Sequence, residues 1–331
     1  MIFEPSVIAQ LLSSLLMMAL VLYCSYWAYR ITRHWNPMTG SELQISLERR
    51  TYLISTMLKY VFVFEVLSVF LFLYTAERIH NLFVGAMCAA GTLNVNQFGY
   101  PLLLIKLFNF FLAGLWLIIN YFDQKGFDYP LLRVKYRMLM IIAPFMIAET
   151  VVGFLYFTGL KPDIITSCCG TLFSLDSATV TSELSSVPAK RALVGFYLTS
   201  SIAAVFYVLF FVRKKCTVLI GLINLPLLVI SIITIISAVS IYLYELPTHH
   251  CPFCMLQSDV NFIGYPLYIS LFGSVLMGMG LGLTTFFKDI SSIKKAVRET
   301  QIRMAKIAFG LLLLFNLLVS WIVVSSELIL E

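Results

Sequence analysis

Eight apolar stretches, each long enough to cross a bilayer, divide this chain: Val7–Ala28, Tyr52–Ala76, Pro101–Tyr121, Met138–Leu160, Ala192–Val212, Thr217–Tyr244, Pro266–Phe287 and Ile307–Leu328. A hydrocarbon core needs about 20 apolar residues per helix, and a helix buried in a soluble core seldom runs this long without a charge. With 60% hydrophobic and 12% charged residues and a mean hydropathy of +0.91, the 331 residues carry more apolar surface than a soluble fold could bury. The expected fold is therefore all-α, a polytopic membrane helix bundle of about eight transmembrane helices. No segment outside the apolar runs is long enough for a soluble domain of ordinary size.

An octapeptide occurs twice in nearly the same form, VNQFGYPL from Val95 and VNFIGYPL from Val260. Each copy follows a cysteine and precedes an apolar run, and the offset of 165 residues is about half the chain. A tandem duplication gives this pattern. The predicted organisation is a four-helix membrane repeat over 1–160, an extracytoplasmic connecting loop over 161–191 and a second four-helix repeat over 192–331. Gly99, Tyr100 and Pro101, with Gly264, Tyr265 and Pro266, read as a turn, an interfacial aromatic and a first-turn proline rather than as ligands. Asn96 and Asn261 are placed to cap those turns.

Lysine and arginine set the orientation. Loops after the odd-numbered helices carry Arg30, Arg33, Arg49 and Arg50, then Lys125, Arg133, Lys135 and Arg137, then Arg213, Lys214 and Lys215, and finally Lys288, Lys294, Lys295, Arg298, Arg303 and Lys306. The opposite loops hold only Arg78, Lys161, Lys190 and Arg191. By the positive-inside rule the basic loops are cytoplasmic and both termini extracytoplasmic, in what is expected to be a bacterial plasma (inner) membrane. The net charge of +6 is thus explained by topology, with the lipid bilayer as partner and no need of nucleic acid. The N-terminal MIFEPSV has no basic n-region, so the first helix reads as a retained signal anchor.

Five of the seven cysteines fall in the predicted outer loops: Cys88, the adjacent Cys168 and Cys169, and Cys251 and Cys254 in HHCPFCML. A Cys-x-x-Cys turns two sulfurs toward one metal ion or closes a small redox disulfide, and Pro252 restrains the turn between them. His249 and His250 beside it suit either task, as ligands or as cations that lower a thiol pKa. His80, eight residues before Cys88, is a further candidate ligand. A repeat axis along the membrane normal would bring these loops toward one place. Cys24 and Cys216 read as buried filling without a role. Structural disulfides fixing outer loops are the third possibility for the outer set.

Ionisable residues within the apolar runs point to function or to a partner. Among them are Lys59 and Glu65 in the second run, Lys106 in the third and Glu149 in the fourth, of which Lys59, nearer the cytoplasmic end, can snorkel and reads as structural. A Glu65–Lys106 pair is possible, and Glu149 is the candidate for a proton or cation step. In the seventh run Gly278, Gly280 and Gly282 allow close helix packing.

CPFCML at an extracytoplasmic helix entrance resembles the active-site dithiol of quinone-linked disulfide-forming enzymes and of the vitamin K epoxide reductase family. That resemblance implies Cys251 and Cys254 as the quinone-side catalytic pair and quinone as cofactor. The vicinal Cys168–Cys169 is similar to the CC of mercuric-ion transporters. No P-loop, dinucleotide fingerprint, HExxH or haem-attachment CxxCH is present, since Met255 follows Cys254. Two functional readings stay open, together with that of a structural subunit. One is soft-metal handling of the Cu(I) kind by Cys88, Cys168, Cys169, Cys251, Cys254, His80, His249 and His250, served by an extracytoplasmic metal or thiol carrier. The other is thiol-disulfide exchange with quinone.

Overall fold

The computed structural model describes residues 3–35, 41–161 and 187–328, so Cys168 and Cys169 lie outside the described residues. Every regular element among the described residues is helical, and eight helices are long and apolar enough to cross a membrane. They are α1 (Pro5–His34), α2 (Glu42–Arg78), α4 (Gly99–Asp123), α5 (Leu132–Thr158), α6 (Ala189–Arg213), α7 (Thr217–Tyr244), α8 (Gly264–Leu283) and α9 (Lys294–Ser325), with a short α3 at Ala89–Leu93. Within α7 a π-turn, Ile235–Val239, separates the main helix from a last α-turn, Ser240–Tyr244. Pro5 opens α1 at a position whose N–H would have no helical partner anyway. Lys214 and Cys216, both in the left-handed region at φ 53° and 74°, turn the chain from α6 into α7.

Chain contacts divide into two units. The first comprises Met1–Ala76, Leu93–Asp163 and Asp289–Ala296; the second comprises Glu77–Thr92, Ile164–Lys288 and Val297–Glu331. Glu77–Thr92, which carries Cys88, belongs to the unit that holds Cys251 and Cys254.

In the first unit α5 packs against α1 and α4. Trp116 is fully buried, edge-on to Phe62 at 4.8 Å, and its indole N–H donates to Lys135 O at 2.9 Å. Lys135, read from sequence as a loop cation, is instead fully buried. Its ammonium meets Asp123 at 2.5 Å and donates to Ser55 Oγ at 2.8 Å and Asn120 Oδ1 at 3.3 Å. Asp123 Oδ1 also accepts from Leu131 N–H at 2.8 Å, which ties the turn between α4 and α5. A buried charge persists only when paired and hydrogen-bonded, and this one is.

In the second unit α7 packs between α6 and α8. A Cβ on Gly282 would stand 2.7 Å from Gly221 Cα, so α7 and α8 meet backbone to backbone there. Small residues permit that approach, as the glycine run of α8 leads one to expect.

Candidate metal centre

The site is assembled by two loops of the second unit. The first leaves α2 at Arg78, turns through His80–Leu82 and delivers Cys88 to the start of α3. The second runs from α7 to α8 and carries Cys251, Pro252, Phe253 and Cys254. The sulfurs of Cys88, Cys251 and Cys254 all lie within 4.8 Å of one another, with Cys88 Sγ 3.5 Å from Cys251 Sγ. The three residues are 0%, 0% and 5% exposed. Metal–thiolate bonds of about 2.3 Å place sulfurs roughly 3.8–4.0 Å apart in tetrahedral or trigonal geometry, so these thiols need move little to share one ion.

Three hydroxyls fix the carbonyls of the CPFC turn. Ser240 Oγ, at the end of the π-turn, lies 2.8 Å from Ile235 O and 3.2 Å from Cys251 O and shares its proton between them. Tyr268 of α8 donates to Pro252 O at 2.6 Å, and Tyr244 at the end of α7 donates to Cys254 O at 2.9 Å. The sulfurs are thereby presented on a backbone anchored from both flanking helices.

A carboxylate clamps the two loops together. Glu77 Oε2 accepts from Ala89 N–H at 2.8 Å, next to Cys88, while Oε1 accepts from Gln257 Nε2 at 2.9 Å. The Gln257 amide also donates to Met87 O at 2.7 Å. Replacing Glu77 by alanine leaves the Ala89 N–H and the Gln257 amide short of acceptors, a cost of about 1–3 kcal/mol. Expected together are a lower unfolding temperature and faster alkylation of Cys88, followed by mass spectrometry. An unchanged Cys88 rate would show that the clamp does not position the thiol.

The glycines of the repeated GYP element do more than turn the chain. A Cβ on Gly264 would stand 2.9 Å from Met255 O, and one on Gly99 would overlap Leu93 O. In both copies the preceding loop lies directly on the helix start, and only glycine leaves room. Asn96 caps its turn as expected, its Oδ1 accepting from Phe98 N–H at 3.0 Å while Nδ2 donates to Tyr156 O at 3.0 Å. Asn261 instead enters the left-handed region at φ 53°.

The candidate histidines are placed differently from one another. His80 turns back on Glu77, with Nδ1 3.4 Å from Oε1 and in contact with the Glu77 carbonyl. His250 Nδ1 is 3.2 Å from Ile236 O, a π-turn carbonyl. His249 stacks on Tyr244 at 4.3 Å, interacts with Cys88, and has a buried Nε2 with no hydrogen-bond partner. Burial holds its imidazole below the ordinary histidine range, which the Cys88 thiol opposes and His250 reinforces. None of the three joins the close sulfur group. Two methionines adjoin it in sequence, Met255 fully buried and Met87 71% exposed.

The intramembrane charges form a separate group in the first unit. Lys106 Nζ donates to Glu149 Oε1 at 2.6 Å and to Ser68 Oγ at 3.3 Å, and Asn109 Nδ2 donates to Glu149 Oε2 at 2.6 Å. Of the two carboxyl groups, Glu149 rather than Glu65 is therefore the salt-bridge partner of Lys106. Glu65 is fully buried as well, and neither of its carboxyl oxygens has a hydrogen-bond partner in the protein.

No family model, curated protein or solved structure matches the chain.

Proposed function

We propose that this integral membrane protein captures a soft metal ion of the Cu(I) class on its extracytoplasmic side through Cys88, Cys251 and Cys254, and exchanges it with a carrier. The single observation that carries this reading is the convergence of three buried sulfurs within 4.8 Å, drawn from two loops. Thiolates select soft ions over hard ones. A third sulfur adds nothing that a dithiol relay needs, whereas it completes a trigonal ligand set. Reactive redox cysteines sit partly exposed so that a partner thiolate can attack, and these three residues are at most 5% exposed. The exposed Met87 thioether beside Cys88 supplies an entry ligand that hands the ion inward. The plasma membrane and an outer facing of both termini belong to the same reading, supported by the distribution of lysine and arginine.

Reduced, anaerobic protein is expected to bind about one Cu(I) per chain, with sulfur-only scattering near 2.3 Å in X-ray absorption, as for other metal–thiolate bonds. The redox alternative predicts instead a dithiol that titrates at a defined potential and is reoxidised by added quinone. No metal uptake together with quinone oxidation would replace the first reading by the second.

A further inference from the structure

A cavity of about 220 Å³ lies between α1 and α5 of the first unit, with Gln10 on one wall and Lys106 and Glu149 on another. Gln10 is 1% exposed, yet neither Nε2 nor Oε1 has a hydrogen-bond partner in the protein. An amide buried without partners is costly to keep unless something else satisfies it. Across the cavity Lys106 uses two of its three N–H groups on Glu149 and Ser68, so one remains for a ligand. The remaining lining includes Leu12, Leu15 and Phe154, which are 62%, 54% and 58% exposed on helices of membrane-spanning length. The polar end of the cavity is therefore continuous with a side that lipid chains would cover.

We propose that this cavity binds the head of a neutral, lipid-soluble molecule that both donates and accepts hydrogen bonds, of the phenol or quinol class. Size favours one ring, since a cavity of about 150 Å³ is known to hold benzene. Charge favours neutrality: Glu149 faces an incoming anion and Lys106 an incoming cation. The Gln10 amide offers a donor and an acceptor side by side, which matches a hydroxyl or a hydroxyl–carbonyl pair and is wasted on an alkyl chain. The apolar body of the ligand leaves between the leucines and Phe154. This inference concerns a different unit from the thiols and stands whether or not they hold metal.

The test uses the full chain in detergent and a decyl-substituted hydroquinone kept reduced under argon, with binding followed by equilibrium dialysis. Saturable binding of about one molecule per chain is expected. Gln10→Leu, which removes the amide at nearly constant volume, is expected to weaken it at least about tenfold, the loss of a hydrogen-bonded pair, while thermal stability stays equal or rises. Gly153→Leu provides a second variant: a Cβ there meets only Leu102 methyls at 3.6 and 3.8 Å, so the longer side chain has the cavity to fill and binding should vanish. Decane and dodecanoate at the same concentration should not compete. The proposal is overturned by absent binding, by equal affinity of wild type and Gln10→Leu, by hydroquinone binding that survives Gly153→Leu, or by decane competing as well as the hydroquinone.

Discussion

Serine in place of Cys88 is expected to lower Cu(I) affinity at least about a hundredfold, more than the roughly ten- to hundredfold typical of losing a supporting group. Hydroxyl oxygen is a poor ligand for such an ion, and the Cys251–Cys254 pair alone leaves it two-coordinate. The substitution is small and isosteric. Cys88 lies in a loop held by Glu77 and Gln257 rather than by its own sulfur, so the helices should remain folded. Competition against a coloured Cu(I) chelator reads the affinity, and Cys24→Ser serves as control because Cys24 is buried in α1, far in sequence from the loops. Equal affinities for wild type and Cys88→Ser would reduce the centre to its CxxC and remove the main support for metal handling.

How far the sequence reveals this arrangement depends on the range of the interaction. The spanning helices are legible because a bilayer imposes a length on each one separately, and the predicted Thr217–Tyr244 coincides with α7. The CxxC is equally local. Cys88 is harder, for its approach to Cys251 joins positions 163 residues apart, and only the repeated octapeptide hinted that the two loops are equivalent. The clamp gave no signal at all: Glu77 and Gln257, separated by 180 residues, look like ordinary interfacial polar residues. Ser240, Tyr244 and Tyr268 were hidden in the same way, since a hydroxyl at the end of an apolar run is common and its acceptor is a backbone carbonyl that no side-chain pattern marks. The Lys135–Asp123 pair was misread because counting basic residues between apolar runs cannot distinguish a solvated cation from one folded back into the bundle. Gln10 carries no such mark in the sequence, because a single amide near a helix start reads as interfacial, whereas the packed chain leaves it 1% exposed.

Methionine in place of Lys106 is expected to destabilise the protein by about 3–5 kcal/mol, because it leaves the Glu149 carboxylate buried without its ammonium. The pair is 2.6 Å apart and both side chains are at most 4% exposed, so bulk water replaces little of the lost partner. Removing both charges has a different outcome. Lys106→Met combined with Glu149→Leu deletes the ammonium and the carboxylate together, and replacing a buried ion pair by apolar groups of similar size is often neutral; most of the loss should be recovered. Glu65 adds a third arm. Glu65→Gln keeps the size of the side chain and leaves the Lys106–Glu149 pair intact, so it should cost about 1 kcal/mol or less, within the net worth of one hydrogen bond. Glu149→Gln should cost several-fold more, because it strips the ammonium of its counter-charge. Denaturant titrations of the four variants in one detergent measure all of these differences. A double variant no more stable than Lys106→Met, or a Glu65→Gln as damaging as Glu149→Gln, would show that the Lys106–Glu149 pair does not govern the stability of this group.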